Sequence, residues 1–179
     1  MSEITEYNEA ITYEKFLDTA RENIELMKAR FNDLLLNEQE QETLRTIQNR
    51  INILVIGTDR CNDTAGNLPV LARMVSISPK VELRILDSDK YARFHQNFRV
   101  NGKRKTPVVL FLNEDLEELC RWAERPNTVY KLINEKNNPS LEDRKVALKK
   151  LYSDPEILRQ SLHEFMSLIL RSDYILGRH

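Results

Sequence analysis

Glycine is scarce in this chain, four residues in 179, against an ordinary frequency of about 7%. Few positions accept positive φ without strain, so an all-β sandwich or barrel, with its many tight turns, is a poor fit. Cysteine is scarcer still. Cys61 and Cys120 are the only two, which excludes the disulfide framework of a small secreted domain and confines any thiol chemistry to one or both of them. No run approaches the eighteen or so apolar residues of a membrane-spanning helix, and the first thirty residues contain no basic leader followed by an apolar stretch, so the chain is read as cytoplasmic with no membrane partner. A strong excess of either charge is also missing. Residues 1–50 carry 6 basic and 11 acidic groups, 51–125 carry 12 and 10, and 126–179 carry 9 and 7, for a net charge of −1. No segment has the basic excess that neutralises a phosphate backbone, and no nucleic-acid partner is expected.

What is present is 31% charged and 41% hydrophobic residues, enough to bury one core in a single domain spanning 1–179. There is no internal repeat and no low-complexity segment. From Tyr13, the residues Phe16, Leu17, Ala20, Ile24, Met27 and Phe31 recur at three- and four-residue steps, which predicts one long amphipathic helix capped by Thr12. Leu44 and Ile47 mark a second, shorter helix, so 1–50 is a helical N-terminal extension. The pattern then changes. Ile51–Ile56 and Val81–Leu86 are β-branched runs, and Asp63–Ser76 between them reads as a helix with Leu68, Leu71 and Val75 inward, a β-α-β unit with parallel strands. A further helix falls near Lys90–Phe98, the loop Asn101-Gly102-Lys103-Arg104-Lys105 follows, and Pro107 opens the strand Val108–Leu112, with Glu118–Trp122 as its hairpin partner. Helices near 127–135, 140–151 and 154–171 complete the chain, the last started by Asp154 and Pro155. The expected architecture is α/β: a core at 51–135 built on a central four-stranded mixed sheet flanked by helices, with extra N-terminal helices and C-terminal helices at 136–179. Whether the third strand runs parallel or reversed is left open by the pattern.

At the C-terminal end of the first strand, where such sheets place their ligands, lies Gly57-Thr58-Asp59-Arg60-Cys61-Asn62-Asp63-Thr64. A cysteine that opens a helix sits at the positive end of its dipole, which favours thiolate over thiol. Thr106-Pro107 comes about forty-five residues later, at the start of a strand. A strand ending in such a cysteine, a β-α-β crossover, and a Thr-Pro leading into a hairpin resemble the thioredoxin-like superfamily over roughly residues 45–135. The nearest likeness is to bacterial thioredoxin-family proteins with a helical N-terminal extension and a Trp-Cys-x-Asp active-site segment. Leu68-Pro69-Val70-Leu71, Leu86-Asp87-Ser88-Asp89 and Trp122-Ala123-Glu124-Arg125-Pro126 are similar to that subgroup as well.

The resemblance implies that Cys61 is the nucleophile, Pro107 the cis-proline beside it, and Thr106 the residue that pairs with an extended substrate. Thr64 falls on the resolving cysteine and Arg60 on the tryptophan, both departures from the pattern. A Cys-x-x-Thr segment has no second thiol to release a mixed disulfide, so the implied activity is monothiol thiol–disulfide exchange with a protein thiol or glutathione, without metal or cofactor. A Thr64 hydroxyl bonded to the Cys61 sulfur, and the charge of Arg60, would favour thiolate; Asp59 and Asp63 would oppose it. The alternative is a protein-binding module that has lost redox activity.

Other residues have simpler readings. Cys120, between Leu119 and Trp122, is a buried structural cysteine. Asp87 and Asp89 suit a strand end and helix start better than a metal site, and His95, His163 and His179 lack zinc spacing and receive no role. Lys103, Arg104 and Lys105 form an exposed basic loop able to meet an anion such as glutathione. The stripe Leu162, Phe165, Met166, Ile169 and Leu170 packs on its own sheet or, alternatively, against a second copy.

Overall fold

The computed structural model describes residues 3–135 and 140–177. A short 3-10 turn at Thr5–Glu9 leads into α1 (Tyr13–Thr19), α2 (Ile24–Asp33) and α3 (Glu38–Arg45). Then come β1 (Ile51–Gly57), α4 (Asn62–Val75), β2 (Val81–Asp87), α5 (Ala92–His95), β3 (Val108–Leu112) and β4 (Glu118–Ala123), and the chain continues through α6 (Asn127–Glu135), α7 (Leu141–Leu151) and α8 (Pro155–Leu176). The strands lie in the order β2-β1-β3-β4. β1 and β2 are parallel, as the crossover through α4 requires, whereas β3 runs antiparallel to β1 and to β4. Gly57 therefore pairs with Asp87 and Ile56 with Val108, so the end of β1, the end of β2 and the start of β3 meet at one edge of the sheet. Three loops converge there.

β1 is buried along its whole length because both sheet faces are covered. Ile51, Ile53 and Val55 point to one face, where they join Met27 of α2, Leu68 and Leu71 of α4, and Leu162, Phe165 and Ile169 of α8. Leu54 and Ile56 point to the other, with Leu110, Leu112, Phe98 and Tyr7. The α8 stripe is thus spent inside its own chain, with Met166 and Leu170 half-buried at its margin. Asp154 caps α8 by accepting the Glu156 amide at 2.8 Å, next to Pro155 in the first turn.

The single helix expected over Tyr13–Phe31 is two. Thr12 does cap α1, accepting from the Lys15 amide, but α1 stops at Thr19 and Asn23 takes a left-handed φ of 56° before α2 starts. The cause is a distant carboxylate. Asp59 accepts the main-chain N–H of Arg21 at 2.7 Å and of Glu22 at 3.0 Å, and its carbonyl takes the Asn23 amide at 2.8 Å. Donors freed by the break are satisfied by the loop after β1.

α4 is wrapped rather than one-faced: eleven of its fourteen residues are buried. α2, α7 and α8 all pack on it. The Tyr152 ring lies so close to Gly66 that a Cβ there would fall 2.3 Å from two ring carbons. On the same turn Arg30 donates from Nε to the Gly66 carbonyl at 3.0 Å, its guanidinium 5.6 Å from the Tyr152 ring centroid. Both terminal additions are fastened to this one turn of α4.

Candidate functional site

Cys61 occupies the N-cap of α4 in extended conformation and is half-buried. Its amide donates to the Thr58 carbonyl at 3.2 Å, and its own carbonyl accepts the Ala65 amide. The thiol lies 3.5 Å from the main-chain carbonyl of Thr106, to which it donates. The Thr106–Pro107 peptide is cis. The Pro107 carbonyl accepts the Glu124 amide at 2.7 Å, which ties this segment to the end of β4. The structure thus brings Cys61, Thr106 and Pro107 to the convergent edge of the sheet. No side chain caps the opening amides of α4, and the positive end of its dipole favours an anion there.

The neighbours expected to tune the sulfur are otherwise engaged. Thr64 is fully buried and its hydroxyl accepts from the Thr58 amide at 3.4 Å rather than bonding to Cys61. Gly57 leaves room for it: a Cβ on Gly57 would come within 2.9 Å of the Thr64 methyl. Arg60 is exposed and pairs with Asp89 across the loop edge. Asp59 caps the α1–α2 break, as described; partial burial pushes its carboxyl up, and the amides of Arg21 and Glu22 more than offset this, so it titrates below its ordinary value. Asp63 points into the protein.

Around Asp63 lies a buried polar network. One carboxylate oxygen accepts the Tyr152 hydroxyl at 2.5 Å and the other the Arg125 guanidinium at 2.7 Å. Arg125 also pairs with Glu124 at 2.8 Å, and Glu124 accepts from Tyr130 and from Lys105. Asn67 donates to the Tyr152 oxygen and accepts the Ser161 hydroxyl. Burial pushes the Asp63 carboxyl above its ordinary value despite Arg125 and Tyr152; burial would lower the Arg125 guanidinium, but the charges of Asp63 and Glu124 more than offset this and hold it up. Arg125 belongs to the Trp-Ala-Glu-Arg-Pro segment singled out by resemblance, but no local pattern shows that it meets Asp63, 62 residues away.

His95, without a role in the sequence reading, is wholly buried and braces the site loop. Its Nε2 lies 2.9 Å from the Lys105 carbonyl and its Nδ1 2.9 Å from the Ser88 hydroxyl. A carbonyl only accepts, so Nε2 carries the proton and Nδ1 accepts from Ser88 in the neutral ring. Burial lowers its pKa, partly countered by the Lys105 bond and Asp89 and reinforced by Arg104. The folded value therefore lies below the unfolded value of about 6.5. As pH drops below that, the unfolded chain binds a proton that the native state refuses, and stability falls until the folded value is passed. Denaturant unfolding at stepped pH is expected to show this fall, at most about 1.4 kcal/mol per pH unit, and His95→Gln to flatten it; equal slopes would remove the assignment.

Cys120 is half-buried on β4, 3.3 Å from the Ser172 hydroxyl and 3.8 Å from the Leu168 carbonyl, and burial pushes its thiol up. Both cysteines are free. The Asp87 carboxylate closes the turn after β2 by accepting the amides of Asp89 and Lys90, each at 2.9 Å. His163 is exposed near Glu40, and His179 lies outside the described residues. Among the described residues no three His, Cys, Asp or Glu side chains gather as a metal site, and no helix is long and apolar enough to cross a membrane.

A family model described as thioredoxin matches residues 10–140, starting ahead of α1 and so within the segment set apart as an extension. Among solved structures the chain is similar to a protein of unknown function from Pseudomonas aeruginosa, with TM-score 0.74 and 22% identity over 94% of this chain and 98% of that one. It is also similar to an HIV epitope scaffold, with TM-score 0.70 and 20% identity over the same shares of the two chains. No curated protein matches. At these identities the likeness to the solved structures is one of fold.

Proposed function

The chain belongs to the thioredoxin family, and from that premise we propose that it exchanges thiols and disulfides through one nucleophile, Cys61. The observation that carries this reading is the half-buried thiol at the N-cap of α4, 3.5 Å from the Thr106 carbonyl. The Cys61 thiolate attacks one sulfur of a disulfide, forms a new S–S bond to it and expels the other sulfur as thiolate. Thr64, buried and without a thiol, cannot resolve that adduct, so a second external thiol attacks and returns Cys61 to its reduced form. Thr106 and Pro107 form the groove wall, and Arg60 with Asp89 stands at its mouth.

With glutathione disulfide, intact-mass measurement is expected to show one glutathionyl adduct that Cys61→Ser abolishes and Cys120→Ser leaves in place. An adduct confined to Cys120, or none, would sink the proposal. The second reading, a binding module without chemistry, is favoured by one observation: Asp59 and Asp63, which flank the cysteine, serve the terminal additions rather than the sulfur. On that reading Cys61→Ser leaves partner binding unchanged.

A further inference from the structure

Between Asp89 and Glu114 the chain carries six cations, Lys90, Arg93, Arg99, Lys103, Arg104 and Lys105, and no carboxylate. Arg99, Lys103 and Arg104 line a cavity of about 510 Å³ whose wall also includes Thr58, Asp89 and Thr106. Their support is braced. Val100 and Lys103 exchange both main-chain hydrogen bonds, at 2.9 and 3.1 Å, around Asn101 (φ 50°) and Gly102 (φ 71°), a two-residue hairpin turn with both central residues left-handed. Arg104 donates to the Ser88 carbonyl at 3.2 Å, and the next residue, Lys105, is held by His95.

The charge is also uncompensated. Among the described residues none of Arg99, Lys103 and Arg104 forms an ion pair, and the one carboxylate in the wall, Asp89, is taken by Arg60. Two residues of its wall are bonded to the cysteine: the Thr106 carbonyl accepts the Cys61 thiol and the Thr58 carbonyl accepts its amide. A second cavity shares Thr58 and Asp89 and is lined by Glu22, Asp59 and Asp87 together with Arg21 and Arg60. The unpaired positive charge is therefore concentrated on the Thr106 side, while the second cavity mixes both signs.

We propose that the cationic cavity binds carboxylates of the polypeptide whose sulfur meets Cys61, so that the partner is an acidic segment laid across the Arg99–Arg104 ribbon. This rests on the thiol-exchange reading for the identity of the site, but the binding itself is separable from the chemistry. A positive surface that meets a negative partner raises encounter rates and fixes register, and the effect is screened by salt.

The test uses fluorescent peptides with serine in place of the reactive cysteine, flanked by glutamate, glutamine or lysine, and reads equilibrium binding to the full chain by anisotropy. The glutamate peptide is expected to bind about tenfold tighter than the glutamine peptide at roughly 50 mM salt, and the lysine peptide more weakly than either. That advantage is expected to shrink below about twofold at roughly 500 mM salt, and likewise in the double variant Arg99→Ala, Lys103→Ala, two exposed side chains with no partner among the described residues. Equal binding of the glutamate and glutamine peptides, or a preference that survives in the double variant, would overturn the inference. A glutamine-flanked disulfide separates the two readings. Exchange at Cys61 without charge preference removes only the acidic partner; charge-selective binding with an inert Cys61 removes only the exchange.

Discussion

Gly66→Ala is expected to destabilise the protein by about 3 kcal/mol, although alanine is the better helix former by about 1 kcal/mol. The new methyl carbon would sit 2.3 Å from Cδ1 and Cγ of Tyr152. Those atoms belong to a rigid ring, not to the end of a flexible chain, so either the ring or the helix must move. Moving the ring also stretches the Tyr152 hydroxyl bonds to Asp63 and Asn67, and strained buried hydrogen bonds add to the packing cost. Thermal unfolding is expected to shift down by on the order of 10 °C for a chain of this size. The partner substitution gives a sharper reading. In a Tyr152→Ala background the obstruction is gone, and Gly66→Ala is expected to become neutral or stabilising by up to about 1 kcal/mol. Unchanged sign in that background would show that the ring is not what excludes a side chain at this position.

Asp63→Ala is expected to cost about 3–5 kcal/mol, the range for breaking a buried ion pair from one side. It strands the Tyr152 hydroxyl without an acceptor and leaves Arg125 with Glu124 alone. Asp63→Asn keeps an oxygen for Tyr152 but turns an amide donor towards the guanidinium, so its cost is expected to be smaller, about 2 kcal/mol. Urea unfolding at neutral pH orders the three proteins. An Asp63→Ala variant within about 1 kcal/mol of the parent would mean that Glu124 suffices for Arg125 and that Asp63 is not the keystone of the network. Because Asp63 lies two residues after Cys61, the Cys61 adduct with glutathione in the Asp63→Asn protein distinguishes loss of fold from loss of reactivity.

The sheet was legible in the sequence because its strands are uninterrupted apolar runs, which only a sheet covered on both faces accommodates; Ile51–Ile56 and Val108–Leu112 advertise their burial residue by residue. Cys61 was equally legible, since its place at a strand–helix junction is a local property. Direction was harder: β3 runs against β1, and nothing within either strand records it. The break between α1 and α2 was hidden because both helices keep the same apolar spacing, while its cause, Asp59, lies 38 residues from Arg21. Thr64 illustrates a different failure. A threonine three residues from a cysteine can reach it in a helix, and only the fully buried position against Gly57 and the Thr58 amide shows that it does not. The Asn101-Gly102 pair carries a local signal as well: these residues favour a two-residue hairpin turn, and the bonds between Val100 and Lys103 form around it. The partners of Asp63 and His95 are set by contacts across the fold, and the residues alone do not reveal them.

The joint between Gly66 and Tyr152 also bears on how the protein is made. Asp63 and Tyr152 are 89 residues apart, and a ribosome adding about 5–20 residues per second needs on the order of 5–20 seconds to cover that distance. For that interval the emerging chain holds β1, α4 and the reactive cysteine, but no ring to close over Gly66 and no hydroxyl for Asp63. The flank of the helix that follows the sulfur is therefore closed late, by the residue that ends α7.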